Sequence, residues 1–343
     1  MDNIYTDLVA NFPNLIIKKD FPLAPLTTLK IGGPADIFIQ TQTNLQLIDL
    51  LKHINEYRSN VFLDTESSEV LYRGREYPKK SLQGIQKNIP ITILGNGSNV
   101  LISDSGIRGI VIKNASQEIE FIKPNLIKAS SGVVLSTLIN FSFQHGLVGL
   151  ETFAYIPAST GGAIHSNIHG FDKSNFNQYL KSIDIFNLNT QKSTTFLAKN
   201  LKWAYDYSSF QDSPNQIIVS ATLTLKTGDT SQAKQTYQDI IANKSLTQSL
   251  NSAGSVFQNP NEATTKKIWG EPKSTGWIID QELGLKGTAI GEAQISPLHA
   301  NFIVNTNKAT AKDFMALVNL IQSNCQKKFN WQPKLEITLL GKF

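Results

Sequence analysis

A short loop-like segment about three quarters of the way along the chain contains two serine hydroxyls and two side-chain amides. Residues 252–260 read SAGSVFQNP. Gly254 can adopt backbone angles that other residues avoid, and Pro260 removes a backbone donor and restricts the turn. Such a loop can hold the Ser255 hydroxyl in a set position with little side-chain bulk around it. The alternative interpretation is a turn whose serine only caps nearby backbone groups.

A first glycine-rich segment follows an apolar run at residues 91–104, which read ITILGNGSNVLISD. The pattern predicts a strand, a tight turn and a second strand. Exposed amides in such a turn can cradle a phosphate or pyrophosphate. The turn lacks the third glycine and the following helix of the dinucleotide-binding fingerprint. A simple hairpin is therefore the alternative to a phosphate-binding loop.

A second small-residue segment covers residues 156–170 (IPASTGGAIHSNIHG), where a backbone could press against a flat or anionic ligand. His165 and His169 are four residues apart, a spacing that could place two imidazoles on one helical face and bind zinc. The glutamate of a zinc-protease helix is absent, and Gly161 and Gly162 are poor helix formers. We therefore expect no metal site here.

The final apolar segment, residues 335–340 (LEITLL), predicts a strand with a single carboxylate, Glu336. A lone strand glutamate either faces solvent or serves a site.

The elements that would position these groups follow an α+β pattern. Apolar residues at helical spacing predict a helix at 45–54 and another at 309–329, with Cys325 in the core. Alternation and turn signals predict a strand–turn–strand unit at 27–39, a hairpin at 180–186 and 194–197, and a strand at 217–226. The charged segment 57–86 is predicted to be a hairpin-bearing insertion. A shift toward Gln, Lys, Thr and Ser places a domain boundary near residue 228.

Composition restricts the class of protein. The chain has 343 residues, 41% of them hydrophobic and 17% charged, which predicts two or three globular domains with ample core. The net charge is +5, but Lys and Arg are scattered, so nucleic acid is not an expected partner. One cysteine excludes an internal disulfide. No signal peptide and no membrane-spanning run are recognised, so a soluble cytoplasmic protein without membrane insertion is expected.

Seven segments in a fixed order resemble the UDP-N-acetylenolpyruvoylglucosamine reductase (MurB) family. The resemblance runs from about Thr27 to Gly341. The segments that carry it are TTLKIGGPAD, ILGNGSNVLISDSGIRGIVI, GLETFAYIPASTGGAIHSN, SAGSVFQNP, GWIIDQELGLKG, ISPLHANFIVN and LEITLLG.

The resemblance implies an α+β fold with a two-part FAD-binding region of the vanillyl-alcohol-oxidase (PCMH) type and a C-terminal α+β MurB-type substrate domain. The implied domains are 1–86, with the insertion at 57–86, then 87–228, and 229–343, whose last strand returns to the core. The implied cofactor is non-covalent FAD, with NADPH as co-substrate. The implied reaction reduces UDP-N-acetylglucosamine enolpyruvate, a UDP-sugar, to UDP-N-acetylmuramate for peptidoglycan synthesis. A monomer is expected.

The resemblance also implies site residues. Ser255 would donate a proton to the substrate, and Glu336 would stabilise the enolate-like intermediate. The implied cofactor-binding residues are Gly95, Asn96, Gly97, Ser98, Asn99, Ala154, Ile156, Pro157, Ser159, Thr160, Gly161, Gly162, Asn167 and His169. The implied substrate-binding residues are Tyr205, Gln258, Asn259 and His299.

The chain departs from the family pattern at the catalytic arginine, where residues 203–210 read WAYDYSSF and place Asp206. A carboxylate there would repel the carboxylate of the substrate. Either Lys202 or Arg108 replaces the cation, or Asp206 turns away, or the reaction is weakened. If the site is otherwise intact, Asp206→Arg is expected to raise the reductase rate.

Smaller departures lie elsewhere. Gln258 replaces a lysine, Gln248 is followed by Ser249 instead of proline, and the Ile168-His169-Gly170 turn is closer to that of sugar-oxidising flavoproteins. Two alternative functions therefore stand beside the reductase. One is another FAD-dependent oxidoreductase of a sugar or alcohol, and the other is a catalytically weakened UDP-sugar-binding protein.

Overall fold

The computed structural model describes residues 1–60, 69–72, 75–78, 89–248 and 251–343. The chain divides into two compact units that interleave along the sequence. Unit 1 comprises Met1–Phe21, Ala35–Gly95 and Arg108–Tyr237. Unit 2 comprises Pro22–Pro34, Asn96–Ile107 and Gln238–Phe343.

The described residues contain both helices and strands. The α-helices of at least seven residues are α1 Asp2–Asn11, α2 Asn44–Asn60, α3 Leu135–Gln144, α4 Thr160–Ser166, α5 Thr230–Thr247, α6 Glu262–Trp269 and α7 Ala311–Phe329. The strands are β1 Ile16–Pro22, β2 Pro34–Thr41, β3 Glu69–Tyr72, β4 Arg75–Pro78, β5 Ile91–Leu94, β6 Val100–Ile102, β7 Ile107–Asn114, β8 Ile119–Lys123, β9 Leu126–Ser130, β10 Leu147–Val148, β11 Leu180–Asn187, β12 Lys192–Leu197, β13 Trp203–Ala204, β14 Tyr207–Ser208, β15 Gln216–Thr224, β16 Lys226–Thr227, β17 Ala289–Ile290, β18 Ala293–Ile295, β19 Ile303–Asn305 and β20 Thr338–Leu340.

Unit 1 contains two main sheets. One has the order β1-β2-β7-β5 and packs with the apolar faces of α1 and α2, which contribute Leu8 and Leu50 to its core. The other has the order β12-β11-β15-β9-β8, and every neighbouring pair in it is antiparallel. Its core includes Ile183 and Leu223, both inaccessible to solvent. These sheets are the support for the loops at 149–179 and 199–212.

Unit 2 is built around α7. A capping box between Thr310 and Asp313 starts this helix. Its buried stripe follows helical spacing and consists of Phe314, Leu317, Val318, Ile321 and Cys325. The stripe shares one core with the sheet β17-β18-β19 and with Leu101 of β6, to which β20 pairs in parallel.

Several predicted elements are confirmed. Helices cover the segments predicted at 45–54 and 309–329, and Cys325 is fully buried. β11 and β12 form the predicted hairpin, and β15 covers the predicted strand at 217–226. Burial raises the pKa of the Cys325 thiol to about 11, as expected for a core cysteine.

Two predictions about strands are wrong. No strand forms at residues 27–33, because Lys30 takes a left-handed conformation with φ 57° that interrupts an extended chain. Leu29 and Ile31 are nevertheless buried, so their alternation reflects a packed loop. The glycine turn at 95–99 does not close a hairpin, since β5 pairs in parallel with β7 and β6 pairs in parallel with β20.

The predicted insertion is described only in part. β3 and β4 form an antiparallel pair within it. Residues 61–68, 73–74 and 79–88, and Ser249 further on, lie outside the described residues. Among the helices that are described, none has the length and apolar character needed to cross a membrane.

Candidate active-site residues

Ser255 and Glu336 lie on neighbouring backbone segments of unit 2. Val256 and Glu336 are joined by a hydrogen bond from the Glu336 N–H to the Val256 carbonyl, at 2.9 Å. Phe257 and Leu335 form an isolated antiparallel bridge, and the Gln258 N–H donates to the Lys334 carbonyl at 2.9 Å. Ser255 and Glu336 are themselves half-buried. The structure thus places side by side two backbone segments that lie about eighty residues apart in the sequence.

The Ser255 loop is held in place by Asn301, a residue that sequence reasoning missed. The Asn301 carbonyl accepts from the Val256 N–H at 2.8 Å, and its Oδ1 accepts from the Phe257 N–H at 3.1 Å. Its Nδ2 donates to the Phe257 carbonyl at 2.8 Å. The side chain is almost fully buried. The signal that could have found it is an amide within the apolar run 300–304, since buried amides normally have hydrogen-bond partners.

Asn99 supports Glu336 from the other side. Its Nδ2 donates to the Glu336 carbonyl at 3.2 Å, and its own carbonyl accepts from the Thr338 N–H at 3.0 Å. The sequence assigned Asn99 to the cofactor. In the structure its amide donor is engaged with the backbone of Glu336, which lies before β20, so the strand begins at Thr338 and not at the predicted residue 335.

The other predicted substrate residues of unit 2 are partly engaged by Thr275. The Thr275 hydroxyl donates to the Gln258 carbonyl at 2.7 Å, and the Asn259 Oδ1 accepts from the Thr275 N–H at 2.9 Å. These bonds fix the backbone of Gln258 and the amide orientation of Asn259. They give the loop a second anchor beside Asn301.

His299 is a half-buried, uncharged imidazole at neutral pH. Burial lowers its pKa, and the charges of Lys244 and Lys286 lower it further against an opposing backbone hydrogen bond. Its Nδ1 accepts from the Asn301 N–H at 3.3 Å, so the proton of the neutral ring lies on Nε2. His299 can therefore donate a hydrogen bond but carries no charge for an anion.

The glycine-rich turn contributes a close backbone approach at Gly97 in unit 2. Gly97 has φ 62°, and a Cβ there would lie 2.3 Å from the Leu26 carbonyl oxygen. Only glycine satisfies both conditions. Ser98 accepts at its carbonyl from the Thr28 hydroxyl at 3.5 Å, and Asn96 is half-buried.

In unit 1, Gly95 lies against Ser159 of the second small-residue segment. A Cβ on Gly95 would meet the Ser159 Oγ at 2.5 Å. The Lys113 ammonium donates to the Gly95 carbonyl, and burial lowers the pKa of Lys113 to about 8. At neutral pH this lysine is still mostly charged. Small side chains, a hydroxyl and a half-buried cation therefore meet at this point.

The rest of the second segment is fixed mainly through its backbone. Ser159 Oγ accepts from the Gly162 N–H at 3.2 Å, and the Thr160 hydroxyl donates to the Val133 carbonyl at 2.9 Å. Gly161 donates its N–H to the Ser131 carbonyl at 2.8 Å. Of the remaining predicted residues, Ala154 is buried, Ile156 is half-buried and Pro157 is exposed.

His165 and His169 do not share a helical face. α4 ends at Ser166, and Asn167 caps it in a left-handed conformation. The Asn167 side chain is buried, donating to the Ala204 carbonyl at 2.8 Å and accepting from the Asn177 N–H at 3.1 Å. The predicted cofactor residue Asn167 thus fastens the β13–β14 hairpin to the end of α4.

Asp206 turns to His169. His169 Nδ1 donates to Asp206 Oδ1 at 3.1 Å, and the Tyr205 hydroxyl lies 3.5 Å from His169 Nε2. The imidazole and phenol rings stack with centroids 4.8 Å apart and planes at 26°. One outcome that the sequence left open was that Asp206 turns away. In the structure its carboxylate pairs with His169, a partner that sequence reasoning did not identify. Arg108, one of the two substitute cations considered, pairs with Asp36 at 2.7 Å.

Comparison with known proteins gives concordant matches. Residues 245–340 match the family described as UDP-N-acetylenolpyruvoylglucosamine reductase, C-terminal domain. Residues 85–188 match the FAD binding domain family.

Full-length relatives with the name UDP-N-acetylenolpyruvoylglucosamine reductase are also similar. The protein of Listeria innocua is 32% identical, over 98% of this chain and 98% of its own. That of Carboxydothermus hydrogenoformans is 32% identical, over 95% and 94%. The crystal structure of the Thermus caldophilus reductase (MurB) superposes with a TM-score of 0.70 at 26% identity, covering 96% of this chain and 99% of that one.

Proposed function

Because this chain belongs to the UDP-N-acetylenolpyruvoylglucosamine reductase family, it is an FAD-dependent oxidoreductase, and we propose that Ser255 and Glu336 carry its chemistry. The reaction is the NADPH-dependent reduction of UDP-N-acetylglucosamine enolpyruvate to UDP-N-acetylmuramate. Membership also confirms the predicted α+β fold class, an FAD-binding region followed by a MurB-type C-terminal domain. The observation that carries the proposal is the pairing of the Ser255 loop with the strand segment of Glu336.

The residues of unit 1 fit the phosphates of a flavin nucleotide. Gly95 lies close to the Ser159 hydroxyl, and the half-buried Lys113 places a positive charge at the Gly95 carbonyl. Backbone N–H groups and a cation are the usual partners of phosphate oxygens. When bound, FAD supplies hydride transfer from NADPH to the enolpyruvyl double bond. The roles of residues 96–99 in unit 2 toward FAD remain predictions.

Ser255 is the proton donor in this proposal. Hydride adds to one carbon of the double bond, and the Ser255 hydroxyl delivers a proton to the neighbouring carbon. Serine then regains its proton from solvent. A hydroxyl is a weak acid, so its contribution depends on placement. The clamp of Asn301 on Val256 and Phe257 supports such placement.

Glu336 stabilises the intermediate that forms as hydride adds. Its backbone is held at both ends, by Val256 and by Asn99. A preorganised polar group aimed at developing charge is among the larger contributions to catalysis. Tyr205, Gln258, Asn259 and His299 are proposed as residues that bind the UDP-sugar. A cytoplasmic location and a monomeric state belong to the same proposal.

NADPH consumption by purified, FAD-loaded protein on UDP-N-acetylglucosamine enolpyruvate tests the function. We expect turnover by the wild type and a rate lower by on the order of a hundredfold or more in Ser255→Ala. Ser323→Ala is the matched control, since Ser323 lies exposed on α7 of the same unit and bonds only to the Leu320 carbonyl in the described contacts. Absence of wild-type turnover would overturn the function, and equal rates would overturn the role of Ser255.

The alternative of a sugar or alcohol oxidoreductase is favoured by one observation, the His169–Asp206 pair. A carboxylate-oriented imidazole can also act as a base toward a hydroxyl group. This alternative predicts anaerobic bleaching of the flavin absorbance by an aldose without NADPH. We expect no such bleaching.

A further inference from the structure

We propose that the Lys113 ammonium is the counter-ion of the FAD diphosphate, so that FAD binding takes up a proton and weakens as the pH rises above neutral. The inference rests on the proposed function and deepens it, because it makes retention of the cofactor depend on the charge of one lysine. The ligand class is a nucleotide diphosphate. All of the residues that carry the argument belong to unit 1.

The first support is the place of Lys113 in the sheet. Lys113 pairs with Leu94, the last residue of β5, and its ammonium donates to the carbonyl of the next residue, Gly95. Neighbouring strand residues point to opposite faces, and Ile110 and Ile112 of β7 face α1 and α2. Lys113 therefore points away from these helices, toward the turn that follows β5.

The second support is that the ammonium lacks a carboxylate partner among the described residues. Lys113 is half-buried, and burial alone lowers its pKa to about 8. Buried charges in folded proteins are normally paired, since removing a charge from water costs free energy. An anion that binds here would supply the pairing that the described part of the chain does not.

The third support is the small-residue surface beside the ammonium. A Cβ on Gly95 would lie 2.5 Å from the Ser159 Oγ, so a side chain at this position would displace the hydroxyl. The Gly162 N–H donates to the same Oγ at 3.2 Å, and a Cβ on Gly162 would meet only that oxygen. Small residues, a hydroxyl and a cation together form the kind of surface that phosphate oxygens approach closely.

The carboxylates on the neighbouring elements are engaged elsewhere. Asp36 of β2 pairs with Arg108 at the start of β7, about 13 Å from Lys113 at the usual rise of a strand. Glu118, in the connection after β7, accepts from the Ser130 hydroxyl. These contacts leave the positive charge of Lys113 uncompensated.

The remaining neighbours supply no negative charge. β5 has no titratable side chain. The segment 154–167, which contains Ser159, has two, Tyr155 and His165, and neither is a carboxylate. Burial lowers the pKa of His165, so this imidazole is neutral between pH 7 and pH 9.

Proton binding and diphosphate binding favour each other at Lys113. Without an anion, a pKa of about 8 leaves the lysine roughly nine-tenths charged at pH 7 and roughly one-tenth charged at pH 9. A bound diphosphate favours the charged form and moves the pKa up toward the ordinary lysine value of about 10.4. FAD binding then takes up roughly half a proton at pH 8, and its affinity falls roughly tenfold between pH 7 and pH 9.

A purely structural role for Lys113 is the competing interpretation. In that case the ammonium only fastens the Gly95 carbonyl, and FAD binding leaves its protonation unchanged. The two interpretations differ in proton uptake and in the pH dependence of FAD affinity, which a general loss of stability does not reproduce.

The experiment is calorimetric titration of flavin-stripped full-length protein with FAD at pH 8, in two buffers that differ in ionisation enthalpy. Quenching of flavin fluorescence gives the FAD affinity at pH 7 and pH 9. We expect the wild type to take up roughly half a proton and to bind roughly tenfold more weakly at pH 9.

Two substitutions at Lys113 and one control separate charge from structure. Lys113→Met should bind FAD roughly tenfold more weakly at pH 7, without proton uptake and with equal affinity at pH 9. Lys113→Arg remains charged throughout this range, so its affinities at pH 7 and pH 9 should be equal and its proton uptake absent. The control is Lys123→Met, a change at an exposed lysine of β8, which should keep the wild-type values.

FAD binding by the wild type without proton uptake would overturn the proposal, as would a pH dependence that persists in Lys113→Met. Thermal unfolding without FAD shows whether Lys113→Met is folded. If it is not, proton uptake that persists in Lys113→Arg overturns the proposal. FAD binding and NADPH turnover without proton uptake defeat only this inference, whereas a wild type that neither binds FAD nor turns over overturns the proposed function as well.

Discussion

Asn301 holds Phe257 through both atoms of its side-chain amide, with Oδ1 accepting from the Phe257 N–H at 3.1 Å and Nδ2 donating to the Phe257 carbonyl at 2.8 Å. The Asn301 side chain thereby makes the two hydrogen bonds to the Phe257 backbone that a residue of a neighbouring strand would make. The position of the candidate proton donor therefore depends on a residue outside its own segment.

Removing that clamp should reduce both stability and rate. Asn301→Ala leaves two buried backbone groups of Phe257 without partners, which costs roughly 1–3 kcal/mol of unfolding free energy. We also expect kcat to fall more than KM rises, since Ser255 loses its placement. Urea unfolding and NADPH assays measure the two effects, with the exposed Asn307→Ala as control. Wild-type kcat in a folded Asn301→Ala protein would contradict the positioning role.

The close approach at Gly97 gives a prediction with a matched control. Gly97→Ala places a methyl group 2.3 Å from the Leu26 carbonyl oxygen at φ 62°. Gly284→Ala has nearly the same φ, 63°, but meets nothing within 4 Å. The left-handed conformation alone costs about 1–2 kcal/mol in both variants. Gly97→Ala should be the less stable of the two by thermal unfolding, and equal losses would mean that the turn adjusts freely.

Glu336 should matter for rate and little for folding. Its strand is held by backbone bonds to Val256 and Asn99, which Glu336→Gln retains. Loss of the carboxyl group should lower kcat/KM by roughly a hundredfold, the scale for one stabilising group in a transition state. The melting temperature should change by no more than a few degrees. An unaltered kcat/KM would remove Glu336 from the mechanism.

The lowered pKa of His299 predicts that the protein loses stability on acidification. Burial, with Lys244 and Lys286, lowers its pKa in the folded protein below the ordinary value of about 6.5. The unfolded chain then binds more protons at this residue, so the unfolding free energy rises with pH across this window and falls as pH drops below about 6.5. Denaturant unfolding between pH 7 and 5 measures the slope. His299→Gln should flatten it, and His145→Gln should not.

The sequence alone leads us to expect that Asp206→Arg gives a faster reductase, whereas the contacts of Asp206 lead us to expect a slower one. In the structure the substitution removes the acceptor of His169 Nδ1 and puts a guanidinium beside the imidazole. We expect kcat/KM to fall by roughly tenfold or more, as for loss of a hydrogen bond between a charged group and His169, a proposed cofactor-binding residue. Steady-state kinetics with the enolpyruvyl substrate measure it. A rate increase would restore the arginine interpretation.

Local patterns predicted the elements whose cause is local. The apolar spacing at 309–329 and its capping residues are sufficient for a helix, and the alternation at 180–197 is sufficient for a hairpin. The same patterns failed at Leu29 and Ile31, since burial without a strand produces the same alternation. The order of the seven segments also indicated the family and, with it, the cofactor, because both inferences depend on residue types at fixed spacing.

The sequence by itself determined which chemical groups this protein has: a hydroxyl in a small-residue loop, the Glu336 carboxylate in the last apolar segment, two glycine-rich segments, and an aspartate at position 206. Tertiary structure alone decided which of them meet. Asp206 and His169 are 37 residues apart, and Asn301 lies 44 residues from the Phe257 that it clamps. Hydrogen bonds of this range depend on chain pairing across the fold, which no local pattern of residues specifies.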